Sequence, residues 1–152
     1  MNVVHLADCP FVPWRNGGGR TRELLAWPSA QDWLLRVSVA EIDADGPFSP
    51  YPGIERWFAV LGGAGVVLAL PQGETTLRAG SAAVSFAGEA APTCHLIDGP
   101  TQDLNLMLRR GANTSWHGVF ADGTLYWSDD PNEVLPALPG WRLGADSMER
   151  IA

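Results

Sequence analysis

Twelve prolines and seventeen glycines cut these 152 residues into short stretches, and that punctuation limits the fold more than any other feature. Few of the stretches could carry an ordinary helix of about three turns, whereas a strand needs only about five or six residues. The spacing therefore predicts strands at Arg22–Trp27, Trp33–Glu41, Thr75–Arg78, Ala82–Phe86, Thr93–Ile97, Asp103–Arg109, Ser115–Phe120 and Thr124–Ser128. Trp33–Glu41 is the clearest, because Leu35, Val37 and Val39 alternate with Arg36, Ser38 and Ala40. Arg56–Leu61 and Val66–Leu70, separated by Gly62-Gly63-Ala64-Gly65, read as a hairpin. One short helix is expected, either near Asp130–Leu135 or in the last ten residues, and residues 132–152 read as an irregular arm. Many short strands joined by turns imply a single-domain sandwich or barrel.

Composition narrows the roles. A net charge of −7 argues against non-specific binding to nucleic acid or to an anionic membrane, both of which require a basic surface. No apolar run approaches the roughly 20 residues of a membrane-spanning helix, and the first residues lack the pattern of a signal peptide. Cys9 and Cys94 make no disulfide framework. The expectation is a soluble cytoplasmic protein with reduced thiols.

Chemistry concentrates in Pro13–Glu23 (PWRNGGGRTRE). Gly17, Gly18 and Gly19 let the backbone turn sharply and approach another surface closely. Asn16, Thr21, Glu23 and three arginines flank them with directional hydrogen-bonding groups. A solvated turn with surface arginines is the plain alternative. The glycines are contiguous and no Gly-Lys-Ser/Thr follows, so neither nucleotide-binding fingerprint fits.

Three blocks, PWRNGGGRTRE (13–23), RVSVAEIDADGPFSPYP (36–52) and DLNLMLRRG (103–111), together resemble the HutD/Ves family of small bacterial proteins. The resemblance spans about residues 8–111. It implies an all-β, cupin-like jelly-roll barrel, with residues 1–111 as its core and 112–152 as reduced C-terminal strands and an irregular arm. Glu55–Gly65 and Ala79–Gly88 are similar to the two cupin motifs, but residues 48–55 contain none of the histidines of metal-dependent cupins. The resemblance also implies a role in histidine utilisation or a stress response, with a formylated or formiminated glutamate-like acid as the candidate ligand.

His5, His95 and His117 lie far apart in sequence, and no pair has metal-ligand spacing, so neither a metal nor a cofactor is expected. Cys94 and His95 are neighbours on a strand and point to opposite faces. The strand polar residues carry more. If the aliphatic faces pack on a second sheet, Arg36, Ser38 and Asn105 line the interior, where an arginine needs a carboxylate or an anionic ligand. Either Arg36 pairs with Glu23, Glu41 or Asp103, or a pocket holds a small organic acid by Arg36 or Arg22, with Asn16 and Asn105 as amide partners. Glu23 and Glu41 are general-base candidates only if the protein is a metal-independent isomerase or hydrolase. A module without a ligand, which binds a protein partner, is the third reading. Trp116, Trp127 and Trp141 fall where a small domain has little core left to fill, so an apolar patch there would serve a homodimer.

Overall fold

The computed structural model describes all 152 residues. In chain order the strands are β1 (Asn2–His5), β2 (Phe11–Pro13), β3 (Gly19–Trp27), β4 (Leu35–Ile42), β5 (Gly46–Pro47), β6 (Ile54–Gly62), β7 (Val66–Leu70) and β8 (Gly73–Leu77). They continue as β9 (Val84–Ala87), β10 (Thr93–Leu96), β11 (Thr101–Arg109), β12 (His117–Ala121), β13 (Thr124–Ser128), β14 (Gly140–Gly144) and β15 (Ser147–Ile151). The only helical pieces are 3-10 turns at Leu6–Asp8 and Gly88–Ala90, and no helix is long and apolar enough to cross a membrane.

Three antiparallel sheets result: a six-stranded one in the order β2-β3-β4-β11-β6-β9, a four-stranded one β5-β10-β7-β8, and a five-stranded one β1-β13-β12-β14-β15. Alternation sends the residues of each strand to two faces, and the six-stranded sheet is covered on both. Leu35, Val37 and Val39 of β4 and Leu104, Leu106 and Leu108 of β11 pack with Phe120, Leu125, Trp141, Leu143 and Met148 of the five-stranded sheet. On the opposite face, Ile42, Phe58, Val60 and Phe86 meet Val66, Leu68, Leu70, Leu77 and Cys94 of the four-stranded sheet. The aliphatic rows thus pack on a second sheet, and the polar row of β4 and β11 faces the barrel interior.

Four expectations change. β6 and β7 are not a hairpin: β6 pairs with β11 and β9, whereas β7 pairs with β10 and β8. The intervening glycines carry the chain between sheets; Gly63 sits at φ +88°, and a Cβ on Gly65 (φ +106°) would collide with the carbonyl of Leu77. No helix forms near Asp130–Leu135, where the Glu133 amide closes a turn on the Asp130 carbonyl (3.1 Å), nor in the last ten residues, where β15 lies.

The irregular arm contains a hairpin, β14–β15, which buries Trp141, Leu143 and Met148. The late tryptophans are accordingly core: Trp116 is 1% exposed and stacks on Trp127 with ring centroids 6.4 Å apart. Trp116 and Trp141 therefore form no exposed apolar patch, and Trp127 is partly buried against the same core. The physical reason is that β1 returns to pair with β13, so residues from both ends of the chain build a second core.

Truncating Trp116 tests this packing. Trp116→Ala should cost about 3–5 kcal/mol in urea unfolding, the range for losing a large aromatic from a filled core. A side chain in a loose surface arm would cost well under 1 kcal/mol.

Candidate functional site

Four strands bring one polar row together. Asn105 lies opposite Ser38 on one side and Phe58 on the other, Met107 opposite Arg36 and Arg56, and Glu23 opposite Ser38. Because directly opposed residues share a face, the row points into one cavity of about 440 Å³. The first loop, with Trp14, Arg15 and Asn16, and the segment Pro47–Tyr51 form its rim.

The floor is Arg56, a residue the sequence reading passed over within an apolar strand. Only 6% of it is exposed. Its guanidinium carbon lies 5.2–5.4 Å from the ring centres of Phe48, Tyr51 and Phe86, so the charge is held by aromatic faces rather than by a carboxylate. Nη2 donates to Asn105 Oδ1 at 3.2 Å, while Nε and Nη1 have no partner in the protein. Burial lowers its pKa to about 10, which still leaves it charged at neutral pH.

Asn105 links this cation to Asp103 by donating its amide nitrogen to Asp103 Oδ1. Asp103 is wholly buried, and its Oδ2 has no partner. Desolvation pushes its carboxyl up to about 8, against the opposing effects of the Asn105 hydrogen bond and the Arg56 charge. The floor is therefore a relay, Arg56–Asn105–Asp103, in which a permanent cation and a neutral acid are joined by one amide.

Arg36 and Glu23 meet above the floor at 2.7 Å, off the angle of an aligned hydrogen bond. This is the internal pair anticipated as the alternative to ligand binding, with Glu23 as the partner. Glu23, the general-base candidate of the enzyme alternative, lines the cavity, is exposed and is paired with Arg36.

Of the other predicted residues, Ser38, Asn16 and Asn105 line the cavity. Arg22 does not. It lies opposite Val39, on the other face of the sheet, and donates to the Leu6 carbonyl (3.2 Å) while stacking over Phe11. Glu41 is on that same far face, paired to Arg20 at 2.7 Å, so it is no general base for this cavity.

Gly17, Gly18 and Gly19 shape the rim without lining the cavity. Gly17 has φ +75°, and a Cβ on Gly19 would come within 2.5 Å of the Glu41 carbonyl and about 3 Å of the Trp14 ring. The Gly18 carbonyl accepts the amides of Asp43 and Ala44, and Trp14 Nε1 donates to Thr21 Oγ1 at 2.8 Å. Their contribution is to fix Trp14 and Asn16 in place.

Arg56 and Asp103 could have been found from the sequence. Each shares strand parity with interior residues, Arg56 with Phe58 and Val60, Asp103 with Asn105.

The raised Asp103 value has a consequence for stability. The ordinary value is 3.8, so between about pH 4 and about pH 8 the folded state holds a proton that the unfolded chain has lost. The native state then binds more protons, and this residue destabilises the fold increasingly as pH rises through that window. Asp103→Asn should therefore gain in urea midpoint relative to the parent as pH is raised from about 4 to about 8. A difference that stays flat with pH would show that Asp103 ionises normally.

Comparison with known proteins agrees with this architecture. The HutD family profile matches residues 6–130. Protein Ves of Citrobacter koseri is 36% identical over 147 residues, covering 95% of this chain and 76% of that protein. An uncharacterised 21.2 kDa protein from the hutC 3′ region of Pseudomonas putida is 31% identical over 140 residues, covering 89% and 72%. Among solved structures, HutD from Pseudomonas fluorescens SBW25 superposes with a TM-score of 0.76 at 24% identity, covering 84% of this chain and 86% of that one. A cupin domain of an Enterobacter cloacae transcriptional regulator gives 0.50 at 16% identity, covering 60% and 96%. With its jelly-roll-like cupin fold, the chain belongs to the HutD family.

Proposed function

We propose that this protein is a metal-independent cupin of the HutD/Ves type whose barrel binds one small carboxylate metabolite. The observation that carries the reading is Arg56: a buried, charged guanidinium with two unpartnered nitrogens at the floor of an open cavity. A buried cation without a carboxylate partner is costly, and an anionic ligand is the group that offsets the cost. Arg56 thus takes the role first assigned to Arg36 and Arg22. Asn105, Ser38 and Asn16 supply neutral polar contacts, and Trp14, Phe48 and Tyr51 supply apolar walls.

The cavity is in the size range of metabolite sites and suits a formylated or formiminated glutamate-like acid. Its lining includes no histidine or cysteine, a donor set ill-suited to zinc or copper. The relative from the hutC region supports a role in the regulation of histidine utilisation. A stress response is the other setting consistent with the family.

One observation favours an enzyme as a second reading. A desolvated carboxyl does sit near the cavity's arginine, but it is Asp103 rather than Glu23 or Glu41. A neutral acid there could donate to a developing oxyanion. Asp103 is wholly covered, however, and a ligand meets Arg56 and Asn105 first.

Thermal unfolding against small carboxylates, histidine-pathway intermediates and divalent metals tests the proposal. One acid should raise the midpoint as its concentration exceeds its Kd. The shift should vanish in Arg56→Met, which keeps an apolar stem among the aromatics, and persist in Arg22→Ala. A response to metals alone overturns the carboxylate reading, and a flat panel leaves a ligand-free module that binds a protein partner.

A further inference from the structure

Asp103 borders the cavity without an exposed atom, and it is the most completely buried charged-type residue in the protein. Its two oxygens differ. Oδ1 accepts the Asn105 amide, whereas Oδ2 is sealed from solvent and lacks any protein partner. That asymmetry suits a carboxylic acid, with the carbonyl-type oxygen accepting and the proton on the other. Asn105 in turn presents its own oxygen to Arg56 Nη2. Ionising Asp103 would therefore be felt at the cation through a single amide.

We infer that Asp103 is a positioning residue that couples anion binding at Arg56 to one proton: the site accepts a carboxylate only with Asp103 as the neutral acid. The inference rests on the carboxylate reading above. It concerns how that site is regulated rather than what fills it.

Charge arithmetic on the facing groups supports it. β6 contributes Arg56, and the segment before β6 contributes the Tyr51 ring, which lies 5.4 Å from the Arg56 guanidinium carbon. β10 contributes Cys94, whose thiol is pushed up to about 12 by burial and by Asp103 and Asp45, so it stays neutral. β4 contributes Arg36, which Glu23 of β3 cancels at 2.7 Å. Arg15 at the rim is exposed to solvent and adds a screened positive charge in both states. At the desolvated floor the charge is +1 with Asp103 protonated and zero with Asp103 ionised, so the first state attracts an anion much more strongly. When an ionised Asp103 site takes a carboxylate, a proton from solvent must arrive on Asp103 with it. No bond in the ligand changes.

Acetate is a suitable probe because its own charge is constant from about pH 6 upward. Its binding can be followed by NMR through the Trp14 indole N–H and the Asn105 amide. Affinity should be flat below Asp103's value of about 8 and fall about tenfold per pH unit above it. Near pH 9, calorimetry in two buffers of different ionisation enthalpy should report uptake of about one proton per acetate. Asp103→Asn should bind acetate at neutral pH with the slope abolished. The proton count on the unmodified protein stands even if that variant folds poorly. Acetate binding that is flat through about pH 9, without proton uptake, overturns the coupling and leaves the carboxylate pocket intact. Absence of acetate binding at neutral pH overturns the pocket and the coupling with it.

Discussion

β11 is hydrogen-bonded along its length on both sides, to β4 and to β6, and the register of those two ladders fixes everything the cavity contains. A slip of one residue would turn Asp103, Asn105 and Met107 toward the second core and push Leu104, Leu106 and Leu108 into the barrel. Neither outcome is tolerable, because both faces of the sheet are buried. The aliphatic row of β11 has no exposure at Leu104 and Leu106, so hydrophobic burial pins the register from one side. The polar row on the other side is thereby placed without having to stabilise its own position. This is how an otherwise costly arrangement of buried polar groups is held.

The arginines near this sheet show three physical answers to the same problem. Arg20 pairs with Glu41 at the surface and stacks over Phe11, with Arg22 over the same ring. Arg36 pairs with Glu23 at the cavity wall. Arg56 is buried and, like Arg22, has no carboxylate contact; its charge rests on three aromatic rings and one amide. Cation–π contacts compensate only part of the desolvation of a guanidinium. The deficit falls at the floor of the cavity lined by Trp14, Asn16 and Asn105. Stored cost of this kind is more often kept for function than for the fold.

Strand existence was legible because local alternation and turn residues determine it; β7 (Val66–Leu70) and β13 (Thr124–Ser128) lie where the pattern puts them. Sheet membership was not, because it depends on partners far along the chain. The Gly62–Gly65 link looks like a hairpin turn and is a crossing between sheets. The tail was unreadable alone, since Trp141 and Leu143 alternate meaningfully only once Phe120 and Leu125 lie beneath them. Parity placed Arg36, Ser38 and Asn105 in the cavity. The same parity argues against Glu41, which shares a face with Val39. Arg22 needed the pairing of β3 to be excluded, because a bulge between Glu23 and Leu25 shifts its alternation. Arg56 was passed over within an apolar strand although its parity with Phe58 and Val60 marks the interior face.

The glycine loop, the most conspicuous stretch in the sequence, proves to be a wall. Its carbonyls and amides are already engaged: Gly18 with Asp43 and Ala44, Gly19 with Trp14, Gly17 with the Trp14 carbonyl. Asn16 spends its side-chain oxygen on the Gly18 amide at 2.8 Å. A loop so fully bonded cannot wrap a ligand with its backbone, so the glycines serve close packing rather than anion binding. What it gives the cavity is the fixed edge of Trp14 and the free amide nitrogen of Asn16. Unmet hydrogen-bonding capacity is concentrated instead at the floor, on Arg56 and Asp103. In the proposed carboxylate site, the rim selects shape and the floor selects charge.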